Sequence, residues 1–455
     1  MGTLHKQKWI SNGAGQSRKQ RQSGVYHYYL PTPLSVLRIN LSMDVSADVS
    51  RAERSIIQLN DTAKALHNSE GLARLLLRAE AVSSSFIEGL TIGARRLLRA
   101  EVNIADRNTV KFDESAAEII GNVHAMEHAI DAAVKEKEIT VQTLLAIHQE
   151  LCKNTRIESF GGVLRETQNW VGGNSYNPLD AEYIPPAPEL VLPLLEDLAV
   201  FCNSDLVSPV VQAALAHAQF ESIHPFMDGN GRTGRALVHL ILRRRGIALN
   251  LVPPISLIMA THSESYVQEL SAFRFDEESQ NIEQIQEGIN DWISFFAGAC
   301  TIACEEALEF ERSAAKMQKT WRKKLGAVRK NSALDLLLDE LVGMPVFTIK
   351  SAGETIGRSV NAVTPAIERC VDAGIVKAID GKKRNKVYEV PDAISEFNLL
   401  ERKLASPLGN TEQAKPVRPV PVRMRSCKQS IDALIAAILA APISFLAQFL
   451  GFMTI

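Results

Sequence analysis

The segment His224 to Arg235 reads HPFMDGNGRTGR and gathers an imidazole, a carboxylate, an amide between two glycines, and two arginines. Those residue types suit phosphate. An imidazole in a loop at a helix entrance takes a proton from a hydroxyl near neutral pH. Gly229, Asn230 and Gly231 permit backbone angles that turn several N–H groups inward, and a helix starting there adds the positive end of its dipole, so an anion is invited. Asp228 alone would read as a helix cap, but beside a phosphate cradle a carboxylate holds Mg²⁺ against phosphate oxygens. Arg232 and Arg235 share one face of the first turn, where positive charge opposes the dipole; a bound polyphosphate removes that conflict. No Gly-Lys-Ser/Thr follows, so the loop is not a Walker A motif. Phe226 and Met227 read as packing residues.

Helices must position this loop. Ser208 reads as an N-cap with Pro209 at the first helical position, opening an apolar helix through His217 to Ser222. Pro225 pushes His224 out of the α region and into a loop. The next helix is expected from Gly231 to Arg245, with Arg243, Arg244 and Arg245 in its last turn and Gly246 as its stop. Upstream, residues 56–151 show helical spacing of Leu, Ala, Ile, Arg and Glu. Residues 161–188 change to Gly, Asn, Tyr and Pro, which suits turns and a hairpin-like flap.

Downstream, residues 331–395 predict a winged helix-turn-helix. Its expected parts are a helix (Ala333 to Leu341), a short strand (Val346 to Ile349), helices at Ser351 to Ile356 and Val360 to Gly374, and strands at Ile375 to Ile379 and Lys386 to Val390. Residues 1–24 read as a disordered arm, 301–330 as a basic helical connector, 396–428 as a Pro-rich linker and 429–455 as an apolar tail. Ala433 to Ile455 carries no charge over 23 residues. That length suits a membrane span, but Pro442, Gln448 and Gly451 interrupt it, and a docked or aggregation-prone amphipathic tail is the preferred reading.

The 455 residues carry a formal net charge of −2, with 46% hydrophobic and 22% charged residues, an ordinary globular balance. Nucleic acid or an anionic membrane would therefore have to meet a local patch. Lys316 to Lys330 holds seven Lys or Arg and no acid, and Lys382, Lys383, Arg384 and Lys386 cluster. The six cysteines follow no disulfide framework, as expected in a reducing cytosol. Cys300 and Cys304 read as a buried pair and not as a zinc site.

The loop sequence fits the pattern HPFxDGNGRxxR at every fixed position, and on those residues the chain resembles the Fic (filamentation-induced-by-cAMP) family. RETQNWVGG (Arg165 to Gly173) followed by AEYIPP (Ala181 to Pro186) resembles the family's flap. Resemblance runs from Tyr26, in YLPTPL at Tyr29 to Leu34, to Phe296. It implies a mainly α fold: a Fic helical bundle with a β-hairpin flap, comprising an N-terminal helical region (25–120) and a catalytic core (121–300), ahead of the winged helix. It also implies adenylylation, in which a Ser, Thr or Tyr hydroxyl of a target protein attacks the ATP α-phosphate and pyrophosphate leaves. His224 would be the base and Asp228 the Mg²⁺ ligand. Asn230 with the Gly229 to Gly231 backbone would hold the α- and β-phosphates, and Arg232 and Arg235 the outer ones. Glu182, Tyr183, Ile184 and Pro185 of the flap would dock the target. SSFIEG at Ser84 to Gly89 resembles the inhibitory pattern (S/T)xxxE(G/N), so Glu88 would pair with Arg235 and hold the enzyme off.

Two rivals stand beside this reading. In one, the chain is a transcriptional regulator whose Val360 to Gly374 helix enters DNA, although Glu368 and Asp372 weigh against it. In the other, the same fold transfers a different phosphate-containing group, or removes AMP with Glu88 positioning water. Self-modification and a homodimer are further expectations left open.

Overall fold

The computed structural model of the chain describes residues 2–65, 69–105, 113–276, 279–379 and 386–405, all within one compact unit. A hairpin of β1 (Thr3–Trp9) and β2 (Gly24–Leu30) comes first. Helices α1 (Met43–Ala65), α2 (Ser69–Ile87), α3 (Ala94–Ala105), α4 (Glu114–Lys135) and α5 (Val141–Cys152) follow. After an irregular stretch come α6 (Val191–Asn203), α7 (Pro209–Ile223), α8 (Asn230–Arg244), α9 (Ile255–Thr261), α10 (Ser263–Ala272) and α11 (Ile282–Leu325). The mainly helical architecture expected from the periodicity is the observed one.

The disordered arm is not. The strand Thr3–Trp9 pairs antiparallel with β2, setting Thr3 opposite Leu30 and Trp9 opposite Gly24. Trp9 packs edge-on against Trp170 at 5.5 Å, and Asn177 Nδ2 donates to the carbonyls of Lys19 and Gln20. A polar, basic stretch conceals this because its anchors come from the flap, more than a hundred positions away in sequence.

The central helix is α7. From Val210 to Ile223 every residue is buried, as an apolar helix with no polar face requires. Ser208 makes no side-chain cap, contrary to expectation. The N–H of Val210 instead donates to Glu53 Oε1 of α1 at 3.3 Å, so a tertiary neighbour replaces the local cap. α4 and α5 pack on α8, while α1 and α11 pack on α7. α11 is a single helix of 44 residues begun by a capping box of Asn281 and Gln284. The expected boundary between core and basic connector at residue 300 therefore falls inside one continuous helix, where Cys300 and Cys304 are buried and unpaired.

Beyond α11 come α12 (Ala333–Glu340), β3 (Val346–Thr348), α13 (Ile349–Ile356), α14 (Val360–Asp372), β4 (Lys377–Ala378), β5 (Val387–Glu389) and α15 (Pro391–Ala405). The strands form an antiparallel sheet in the order β3-β5-β4. This region grips α2 and α3: Arg78 Nη1 donates to the Gly343 carbonyl at 2.6 Å, Arg95 pairs with Glu389 at 3.1 Å, and Leu98 packs with Val346 and Ile394. The exposed side of α14 carries Glu368 and Asp372, and Arg369 reaches back to the Leu325 carbonyl at 3.5 Å. That surface is a poor match for a phosphate backbone. Residues 396–405, expected to open the Pro-rich linker, instead continue helix α15, while Lys382, Lys383, Arg384, the rest of the linker (406–428) and the apolar tail lie outside the described residues. Among the described residues no helix is long and apolar enough to cross a membrane.

Candidate active site

His224 closes α7 in the left-handed region at φ 50°, with its N–H donating to the Phe220 carbonyl at 2.9 Å. A non-glycine residue there costs energy, and the surroundings hold it. Arg165 supplies much of that hold. Its Nε donates to the His224 carbonyl at 2.9 Å, its Nη2 to the Pro186 carbonyl at 2.5 Å, and its N–H to the Pro225 carbonyl at 3.0 Å. One buried guanidinium thus ties flap to loop. Burial, followed by the charges of Arg274 and Arg165, pushes the His224 imidazole down to about 3. It is a neutral acceptor near pH 7. Its Nδ1 is buried and has no partner among the described residues.

The loop then folds on itself. Asn230 Nδ2 donates to the Phe226 carbonyl at 2.8 Å, and its Oδ1 accepts from the Phe226 N–H at 2.8 Å. The Asn230 side chain thus closes the loop through both of its polar atoms, each with one further hydrogen-bonding site. Phe226 is fully buried and stacks on His148 at 3.6 Å. His148 Nδ1 accepts from the Gly162 N–H at 3.1 Å, so Nε2 carries the proton that is donated to the Asp228 carbonyl at 3.0 Å. Burial pushes this ring down to about 4. Gly229 sits at φ 78°, where a Cβ would press on Leu151 and His148.

Glu88 lies at the N-terminus of α8. A Cβ at Gly231 would collide with Glu88 Oε1, so the carboxylate stands where the helix dipole and free N–H groups attract an anion. Arg235, only 2% exposed, donates from Nη2 to Glu88 Oε1 at 2.7 Å, from Nη2 to the Ser84 carbonyl at 2.8 Å and from Nε to Ser84 Oγ at 2.8 Å. Gly89 turns the chain out of α2 at φ 80°. Burial is the largest influence and works against the Arg235 charge, but Glu88, Tyr266 and Glu221 together outweigh it and raise the guanidinium above its ordinary value. Two of the expected phosphate ligands thus face different acids. Arg232, also buried, lies 3.5 Å from Glu118 Oε2 and 3.5 Å from Asp228 Oδ1. These acids relieve the conflict between arginines and helix dipole without any ligand.

The flap is a single antiparallel bridge: Val171 N–H donates to the Tyr183 carbonyl at 2.8 Å, and Tyr183 N–H to the Val171 carbonyl at 3.2 Å. Of the four docking residues expected there, only Glu182 is exposed. Tyr183 is held by the Ser222 carbonyl at 2.5 Å and by Arg274 over its ring at 3.7 Å, and the Ile184 carbonyl accepts from Tyr29 N–H at 2.8 Å. Ile184 and Pro185 are buried, and β2, which bonds Ile184 through Tyr29, is a strand at the start of the region (25–120) expected to be helical.

Sequence reasoning passed over Glu118, His148, Arg156, Glu221 and Arg274. The readable signal was charge on otherwise apolar helices, as with Glu221 on α7. Glu221 is buried, its Oε1 has no partner among the described residues, and burial pushes its carboxyl up to about 7 against the opposing charge of Arg235. Between the ordinary carboxyl value of 4.5 and about 7, the folded chain keeps a proton on Glu221 that the unfolded chain releases. Its stabilising contribution is complete below the lower value and is lost as pH rises through the upper one. Glu221→Gln therefore makes stability fall more steeply on acidification than in the wild type, by about 1.4 kcal/mol per pH unit. Urea unfolding of both proteins at about pH 5 and about pH 7 checks the difference; parallel slopes would refute it.

With this geometry in view, residues 138–242 match the Fic/DOC family and residues 46–131 match the Fic/DOC family N-terminal region. The chain is 29% identical over 243 residues to a protein adenylyltransferase of Caenorhabditis elegans, spanning 51% of this chain and 44% of that protein. It is 31% identical over 216 residues to a protein adenylyltransferase of Drosophila melanogaster, spanning 46% of this chain and 41% of that protein. The chain thus covers less than half the length of these curated relatives. A crystal structure of a Fic family protein from Desulfovibrio desulfuricans aligns with a TM-score of 0.47 at 18% identity, over 78% of this chain and 98% of that one.

Proposed function

Because this chain carries a Fic domain preceded by the N-terminal region of the same family, we propose that it is an autoinhibited protein adenylyltransferase. In this reading a Ser, Thr or Tyr hydroxyl of a target protein attacks the α-phosphorus of ATP. The new bond joins target oxygen to AMP, the bond to the β-phosphate oxygen breaks, and pyrophosphate leaves with its electrons. The hydroxyl proton passes to His224. The observation that carries the reading is the Glu88 carboxylate over Gly231, paired with Arg235 at 2.7 Å. An acid seated at a helix N-terminus against a buried arginine occupies the place of a phosphate.

His224 supports the role of base by being neutral, and the negative charge of a bound nucleotide would raise its basicity. Arg165 holds the His224 backbone and Arg274 lies over Tyr183 of the flap, so the turn that presents the imidazole is anchored beside the flap. Asp228, with 38% of its side chain exposed beside the loop, fits Mg²⁺, which takes one or two carboxylates and completes its shell with phosphate oxygens and water. Bound there, the ion would neutralise charge on the phosphoryl oxygens. The backbone of Gly229 to Gly231, Arg232 and Arg235 would hold the phosphates, and the exposed stretch of the flap at Glu182 would align the target strand.

The deciding experiment incubates the Glu88→Gly protein and a cell lysate with ATP labelled either at the α- or at the γ-phosphate. The α-label is expected on protein, the chain itself included, and the γ-label is not. Label arriving only from the γ-position would replace adenylylation with phosphorylation, and label from neither would reject nucleotide transfer.

A further inference from the structure

Arg156 belongs to no part of the loop motif, yet it stands beside it. Asn154 adopts φ 59°, buried Thr155 donates its hydroxyl to the Cys152 carbonyl at 2.5 Å, and Thr155 Oγ1 accepts from the Ile157 N–H at 3.3 Å. This bonding fixes the turn after α5 and directs the Arg156 guanidinium toward two carboxylates. Nε donates to Glu118 Oε1 at 2.9 Å, and Nη2 to Asp228 Oδ2 at 3.2 Å. Glu118 Oε2 faces Arg232 Nη1 at 3.5 Å, and Arg232 Nη2 faces Asp228 Oδ1 at 3.5 Å. Two acids and two guanidiniums close a ring.

The ring has a buried half and an open half. Side-chain exposure is 5% for Glu118 and 2% for Arg232, against 57% for Arg156 and 38% for Asp228. A buried carboxylate is costly to leave unpaired, so Glu118 keeps both arginines whatever happens in front of them. Asp228 is the member able to change partner. Were Asp228 to hold a metal ion, the exposed Arg156 Nη2 that now faces it would be free to donate to a phosphate oxygen. A guanidinium fork suits phosphate oxygens.

We propose that Arg156 is a third arginine of the nucleotide site, binding the polyphosphate beyond the α-phosphate, and that Glu118 is the positioning residue that aims Arg156 and Arg232 together. The inference rests on the triphosphate reading of the loop. It predicts discrimination: Arg156 contributes to ATP binding and not to AMP binding.

Calorimetric titration of the full chain bearing Glu88→Gly and His224→Ala, which binds ATP without consuming it, tests this with ATP and AMP in Mg²⁺ buffer. Adding Arg156→Ala should weaken ATP about tenfold, the worth of one exposed charge-assisted contact, and leave AMP within about twofold. Arg156→Lys should recover part of the ATP affinity. Glu118→Gln should weaken ATP as well, and combining it with Arg156→Ala should cost less than the product of the two effects, because part of the Glu118 effect acts through Arg156. ATP affinity unchanged by Arg156→Ala, or equal losses for ATP and AMP, would overturn the role of Arg156. A parent protein that binds no ATP would overturn the triphosphate reading and this inference with it.

Discussion

Under the proposed function, Glu88→Gly is expected to raise the rate of AMP transfer by roughly ten- to a hundredfold, the range set by a coupling of about 1–3 kcal/mol between an inhibitory contact and a ligand. Arg235 is buried and makes three bonds, one to Glu88 and two to Ser84. Removing Glu88 leaves the guanidinium oriented by Ser84 but without its counter-charge, and clears the space over Gly231. A phosphate then supplies what the carboxylate supplied. The same logic has a second readout: the variant loses stability in the absence of nucleotide, because a buried charge is unpaired, and regains it when ATP binds. Its thermal midpoint should therefore rise more on adding ATP and Mg²⁺ than that of the wild type. Equal activities, or equal midpoint shifts, would show that the ion pair is structural and not inhibitory.

His224→Ala, made in the Glu88→Gly background, lowers transfer by about a thousandfold, in the middle of the range for a positioned general base. The imidazole makes no hydrogen bond from Nδ1, and its backbone is held by Arg165 and the turn at Phe220, so the loop keeps its shape without the ring. ATP affinity should stay within about threefold while the single-turnover rate collapses, which separates loss of a base from loss of the site. Retention of more than a tenth of the rate would remove His224 from the chemistry.

Much of this was legible along the chain because local rules governed it. Pro225 excludes His224 from the α region, and Gly246 with a basic last turn ends α8 close to where it was expected. The roles within the loop were less legible. The Asn230 amide, expected to hold phosphate, also closes the loop onto Phe226 with two bonds of 2.8 Å. Nothing local distinguishes an amide bound to backbone from one bound to phosphate. The hairpin at the N-terminus was missed for a related reason. Its strand is polar and mostly exposed, and its partners, Trp170 and Asn177, belong to the flap.

The amino-acid order by itself determined the helices, the turn that presents the imidazole and the glycine-framed entrance to α8, because each follows from steric and hydrogen-bonding limits acting over a few residues. Only the tertiary structure decided which charges meet. Ser84 and Glu88 reach Arg235 across 151 and 147 positions, and Glu118 reaches Arg232 across 114. The physical reason is the cost of burying a guanidinium without a partner: packing α2 and α4 against α8 encloses both arginines, and each must find a carboxylate from another helix.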